Sequence, residues 1–216
     1  MTHGQVYRLS SLVDYRPNLP PGLKGAVVES LDAIDAVHRV PKAVRVTVAH
    51  NRKRRESGCY DPATRSVTIS RLAPDFHGTA LHEFGHFLDN RMLHTLSKCY
   101  ASEYHHNFLR LMQLCSNSRP IQTIQQVLRK SSGPLSSEDR WFLEEAVEPY
   151  EIFARAYAQW ICGRSGNSAL RDSLAVRSTK STLFAGTACV FYWDGKEVAD
   201  IMNAIDVLFE SKGLLC

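Results

Sequence analysis

Leu81-His82-Glu83-Phe84-Gly85-His86-Phe87-Leu88-Asp89 is the stretch on which the reading of the chain turns. On an α-helix, residues four apart stand one above the other, so His82 and His86 present two imidazoles to one point in space. A divalent ion fits between such a pair. Glu83 follows the first imidazole and projects beside that point, where a carboxylate can take a proton from a metal-activated water. The apolar residues Leu81, Phe84, Phe87 and Leu88 bury much of the same helix, as suits a rigid element holding ligands in place. The competing reading is a pair of neutral histidines satisfied inside a core. Asp89 also falls on the ligand face, where it either holds a ligand imidazole by its second nitrogen or is a plain surface carboxylate. His77 lies on another face and is not expected to be a ligand.

Immediately upstream, Ala73-Pro74-Asp75 offers a helix start with Asp75 as cap, so the helix is expected from Phe76 or His77 to about Arg91. Before it, Gly58 to Ser70 reads as a hairpin with its turn at Asp61-Pro62, and Val44 to Ala49 reads as a strand. A strand beside the metal helix is expected to pair with an extended substrate through main-chain hydrogen bonds. The basic run Arg52-Lys53-Arg54-Arg55 between the strands is either a solvated turn or a docking patch for an acidic partner. Leu23, Val27, Leu31, Ile34 and Val37 repeat at helical spacing and stop at Pro41, with His38 expected at the solvent-facing end. Residues 1 to 20, polar and containing Pro17 and Pro20, are expected to be an irregular arm.

Downstream, helical patterns run over residues 98 to 116 and Ile121 to Arg129, and the adjacent His105 and His106 within the first cannot share a face. The serine-rich Ser131-Ser132-Gly133-Pro134 is the best candidate for a mobile loop, and Ser137 opens a further helix. The second chemical stretch is Glu144-Glu145-Ala146-Val147-Glu148-Pro149-Tyr150-Glu151-Ile152-Phe153-Ala154-Arg155-Ala156-Tyr157. Pro149 marks a helix start and places Glu151 in the first turn among apolar neighbours, where a carboxylate calls for a cation. Beyond Gly163 come a polar stretch to Lys180 that is loop-like with room for one short helix, an apolar segment from Thr187 to Trp193 that reads as buried strand or loop, and a closing amphipathic helix from Glu197 to Phe209.

A chain of 216 residues with 44% hydrophobic content suits one globular domain spanning 1–216, and a net charge of +4 is too mild to indicate nucleic acid as a partner. No signal-peptide pattern or membrane-length apolar run is visible, so a cytoplasmic protein is expected, with secretion by a non-classical route left open. The six cysteines show none of the paired spacings of a structural zinc site and read mostly as buried thiols.

Together the two chemical stretches resemble the gluzincin type of zinc metallopeptidase, in particular the catalytic domain of anthrax lethal factor and its smaller bacterial and phage relatives. That family has a His-Glu-Phe-Gly-His-x-x-Asp helix, matched at His82 to Asp89, and a later Glu-x-Phe-Ala-x-Ala-aromatic helix, matched at Glu151 to Tyr157. The resemblance implies His82, His86 and Glu151 as zinc ligands and Glu83 as general base. Glu148 is the rival third ligand, with Glu144 and Glu145 behind it. Relatives with a third histidine are excluded, because Asp89 stands at their glycine and Met92 at their last ligand, with His94 two residues too late. The family's oxyanion-steadying tyrosine is missing, since Glu144 occupies its place; the donor is unassigned, with Tyr150, Tyr157 or a histidine as candidates.

The expected fold class is therefore α+β and zincin-like: a small mixed sheet beside the metal helix, with a mainly helical C-terminal half. The expected function is zinc-dependent hydrolysis of a protein or peptide substrate with one catalytic Zn2+. A catalytically weak or inactive metal-stabilised assembly module of phage or mobile-element origin is the alternative, and a DNA-associated regulator using Arg52 to Arg55 is the second rival.

Overall fold

In a computed structural model, which describes residues 5–52, 57–93, 99–130, 135–178 and 180–216, helices are built around a four-stranded sheet, with a two-stranded hairpin apart from it. The N-terminal strand β1 (Val13–Tyr15) follows a single 3-10 turn at Leu9–Leu12, and helix α1 (Pro21–Val37) crosses to β2 (Val46–Asn51). The hairpin β3 (Gly58–Asp61) and β4 (Ser66–Ser70) leads into α2 (Phe76–Phe87). Then come α3 (Ala101–Tyr104), α4 (Leu109–Ser116), α5 (Arg119–Lys130), α6 (Ser137–Ala146), α7 (Pro149–Arg164) and α8 (Ser168–Ser178). A second hairpin, β5 (Ser181–Phe184) and β6 (Thr187–Val190), precedes the closing helix α9 (Gly195–Glu210). The α+β class is as the sequence indicates, with a helical second half. Among the described residues, no helix is long and apolar enough to cross a membrane.

The main sheet has the order β1-β2-β4-β3. β1, β2 and β4 run parallel, while β3 is antiparallel to β4 and forms an edge, with Gly58 opposite Ile69 and Tyr60 opposite Val67. Strand alternation turns Val46, Val48, Tyr60, Val67 and Ile69 inward against α1 and α2. Because Ser70 N–H donates to the Ser57 carbonyl, residues 59 and 61 also turn their main-chain groups to β4. Gly58 and Tyr60 consequently face theirs to the open edge, on the side of α2.

Three expectations are corrected here. Residues 1 to 20 are not wholly an irregular arm: Leu9 and Leu12 are buried, and β1 pairs with β2. The buried Asp35 carboxylate accepts from the N–H groups of Leu9 at 2.6 Å and Ser10 at 3.2 Å, fastening this segment to α1. His38 does not face solvent. It is fully buried among Tyr157, Trp160 and Phe209, and burial lowers its pKa to about 4. The pattern over 98–116 is not one helix either, since α3 and α4 are separated by a 3-10 turn at His106–Phe108. The serine-rich 131–134, His94 and the basic residues Lys53, Arg54 and Arg55 lie outside the described residues.

A large apolar cluster joins the sheet, α1, α2, α7 and α9, and a smaller one of Ile124, Val127, Leu143, Phe184 and Cys189 sits under α5, α6 and the second hairpin. All six cysteines are free thiols; Cys115, Cys162 and Cys189 are buried, and Cys59, Cys99 and Cys216 are exposed.

Candidate metal centre

The site begins with how α2 starts. Asp75 caps it, accepting from Gly78 N–H at 3.1 Å, and the same carboxylate meets Arg177 of α8 at 2.6 Å. Interactions with Ser173, Arg177 and Gly78 hold the Asp75 pKa below its ordinary value despite the burial that would raise it. α2 then packs along α7 so closely that a Cβ on Gly85 would stand 3.0 Å from the Ala154 Cα. That approach brings Glu151, in the first turn of α7 behind Pro149, over the histidine face of α2.

His82, His86 and Glu151 converge, and among the described residues they form the one group of three or more His, Cys, Asp or Glu side chains that could hold a metal ion. His82 Nε2 lies 3.1 Å from His86 Nε2, 3.3 Å separates it from Glu151 Oε2, and His86 Nε2 lies 3.1 Å from Glu151 Oε1. Donors about 2.0–2.1 Å from a tetrahedral ion stand about 3.3–3.4 Å from one another, so each pair here is spaced about as two ligands of one ion are, with Glu151 turning Oε2 to His82 and Oε1 to His86. Burial alone would raise the Glu151 pKa, but the two imidazoles hold it far below the usual carboxylate range. Burial alone would lower the His86 pKa, but the Glu151 hydrogen bond together with the charges of Glu151, Glu83 and Asp89 raises it. Of the carboxylates weighed from sequence, Glu151 is brought to the histidines; Glu144, Glu145 and Glu148 are not part of the group.

Glu83 is only 5% exposed, and burial raises its pKa, opposed by His82 and His86 and by the Tyr60 main-chain N–H. It lies tightly against β3: a Cβ on Gly58 would be 2.6 Å from Glu83 Oε1. The base candidate is thus wedged between the ligand pair and the edge strand.

Asp89 has a different partner from the one its spacing suggests. Its oxygens accept from Ser102 N–H at 2.8 Å and Ser102 Oγ at 2.5 Å, while His86 Nδ1 is buried with no hydrogen-bond partner among the described residues. Ser102 is in the first turn of α3, whose main-chain donors lack helical acceptors, and this carboxylate supplies one. Burial raises the Asp89 pKa to about 7, against the two Ser102 bonds. The helix widens just there, with a π turn over Leu88–Met92 and Leu93 N–H reaching back to the Leu88 carbonyl.

The tyrosines separate as well. Tyr157 is corrected as a site residue: its hydroxyl donates to His38 Nε2 at 2.8 Å inside the core, because His38 Nδ1 is committed to the Arg39 carbonyl. Tyr150 stays at the site, its ring 5.8 Å from that of His86. Sequence reasoning missed Tyr100, whose ring is 6.0 Å from His86 and stacks on Tyr150 at 4.9 Å. Burial, reinforced by nearby negative groups, pushes Tyr150 up to about 12 and Tyr100 higher, so both hydroxyls keep their protons at neutral pH. No local signal marks Tyr100, which stands at the start of α3, the helix that Ser102 ties to Asp89.

Comparison with known proteins adds no relative: no protein-family model, curated protein or solved structure matches the chain.

Proposed function

We propose that this chain is a zinc-dependent endopeptidase of zincin-like fold and gluzincin type, acting on a protein or peptide substrate in the cytoplasm. The observation that carries the reading is the convergence of His82, His86 and Glu151, whose side chains approach pairwise to 3.1–3.3 Å, with buried Glu83 against them. Two imidazoles and one carboxylate suit zinc and leave a ligand position for chemistry, as catalytic rather than structural sites do. A zinc ion held there would polarise a carbonyl and make a neighbouring water acidic.

The rest of the chemistry falls to the chain. Glu83, its pKa raised by burial, accepts a proton from the water and returns it to the leaving amine. The Tyr100 and Tyr150 hydroxyls, kept protonated, are the donors for the charge that develops on the substrate carbonyl oxygen. The open edge at Gly58 and the Tyr60 carbonyl supplies main-chain groups for an extended peptide beside Glu83, which itself holds the Tyr60 N–H.

The test joins zinc analysis of the purified protein to digestion of a peptide library by the unaltered chain, Glu83→Gln and Glu151→Ala. The expected outcome is one zinc per chain in the unaltered protein and Glu83→Gln, cleavage by the unaltered protein alone, and loss of zinc in Glu151→Ala. Zinc without cleavage would replace the peptidase with a metal-stabilised binding module, and a folded protein without zinc would refute the metal centre.

A further inference from the structure

Arg155 is the one charged residue in the buried run from Ile152 to Cys162, at 6% exposure. Among the described residues, its guanidinium donates three hydrogen bonds, all to carbonyl oxygens. Nε donates to Glu151 at 3.2 Å, Nη1 to Phe191 at 3.2 Å, and Nη2 to Ala146, the last residue of α6. The guanidinium also lies 5.9 Å from the ring centres of Phe191 and Trp193. Burying a cation on neutral acceptors is costly, and an apolar side chain would fill the same space at lower cost. What the charge meets there is the negative end of the α6 dipole and the Glu151 carboxylate, the foremost charge favouring it.

The three carbonyls belong to three segments that have to meet for Glu151 to reach α2. Ala146 ends α6, Glu151 lies in the first turn of α7 across the break at Val147 and Glu148, and Phe191 follows β6 of the second hairpin. A rigid planar fork fixes such a meeting point in direction as well as distance, which a flexible ammonium does not. One turn further along α7, Gln159 holds the adjacent segment independently, donating to the Trp193 carbonyl at 2.7 Å and accepting from its N–H at 3.3 Å.

We infer that Arg155 is a positioning residue for the metal site: its fork sets the first turn of α7 and so the place of Glu151 opposite His82 and His86. The inference rests on the zinc reading. Residues one step removed from a ligand change metal affinity by about 10–100-fold when altered. Arg155→Lys keeps the charge and loses the fork, whereas Gln159→Leu weakens the same packing at a distance from Glu151.

The experiment is competitive chelator titration of zinc on the unaltered chain and both variants, with folding followed by circular dichroism and thermal melting. Expected are a folded Arg155→Lys with its zinc dissociation constant raised about tenfold or more, and a Gln159→Leu with a lowered melting temperature and unchanged zinc affinity. Arg155→Lys binding zinc as tightly as the unaltered chain would overturn the inference, as would equal losses of affinity in both variants, which would make Arg155 a stabilising residue only. Should Arg155→Lys not fold, zinc affinity of Arg155→Gln, which retains amide donors, carries the same two outcomes. No zinc on the unaltered chain would instead remove the zinc reading itself.

Discussion

Gly85→Ala separates two effects that oppose each other at one position. Adding a methyl to a helical glycine favours the helix by about 0.8–1.0 kcal/mol. At Gly85 that methyl would stand 3.0 Å from the Ala154 Cα, 3.2 Å from Tyr157 Cδ1 and 3.3 Å from the Ala154 carbonyl oxygen. Carbon atoms in ordinary contact are about 3.5–4.0 Å apart, so α7 has to retreat by roughly half an ångström or more. The obstacle is backbone, which does not swing aside as a side-chain tip does. Overpacking of this kind costs about 1–3 kcal/mol, so the net change is a destabilisation of roughly 0–2 kcal/mol. The same retreat pulls Glu151 from the histidines, and metal sites keep their ligand distances within about 0.2 Å. Zinc affinity is therefore expected to fall by about tenfold or more. Gly25 of α1, with nothing within 4 Å of its added Cβ, is the control, and Gly25→Ala should stabilise by about 0.5–1 kcal/mol. Urea unfolding of the zinc-free proteins and chelator titration of the loaded ones give both quantities. Gly85→Ala gaining as much stability as Gly25→Ala, with zinc affinity unchanged, would refute the close approach of α2 and α7.

Gly58→Ala is expected to keep its zinc and lose on the order of a hundredfold in kcat/KM, because its Cβ would displace Glu83 from 2.6 Å; normal turnover on a peptide substrate would count against Glu83 as base. His38 gives a pH dependence. With its pKa lowered to about 4 in the folded chain from an ordinary 6.5, the unfolded chain binds the proton first on acidification. The stability it contributes is complete above pH 6.5 and lost as pH falls toward 4, about 3 kcal/mol in all. Urea midpoints at pH 7 and 4.5 should converge in His38→Gln, and an undiminished pH slope there would assign the loss to other groups. Asp75→Ala removes the α2 cap and leaves Arg177 half-buried without its carboxylate; a loss of about 2–4 kcal/mol is expected, a fall in melting temperature of roughly 5–15 °C. A melt within a degree of the unaltered chain would show that α8 does not secure the start of α2.

What the sequence made legible was local. The spacing of His82 and His86, the cap at Asp75, the turn at Asp61-Pro62 and the helix start at Pro149 each depend on residues within a turn or two of one another, and each appears where expected. The placement of Glu151 was partly local too, since Pro149 fixes which carboxylate falls in the first helical turn. Strand β1 was not legible, because three residues gain their conformation from parallel pairing with β2 across the whole of α1. His38 and Tyr157 were misread for the same reason: each looks amphipathic alone, and only the packing of α1, α7 and α9 makes them partners.

Asp89 shows why a correct face does not fix a correct partner. Helical spacing puts its carboxylate within reach of the ligand side of α2, but the donors at the start of α3 compete for the same oxygens. Ser102 offers two at once, a main-chain N–H at 2.8 Å and a hydroxyl at 2.5 Å. A buried carboxylate gains more from two well-aligned donors than from one imidazole N–H, and an unmet main-chain donor at a buried helix start is itself costly. The consequence runs toward the site by another route. With Ser102 held, Tyr100 at the start of α3 stands against Tyr150 and His86. The residue expected to orient a ligand imidazole thus fastens the chain that brings a hydroxyl-bearing ring to the same imidazole.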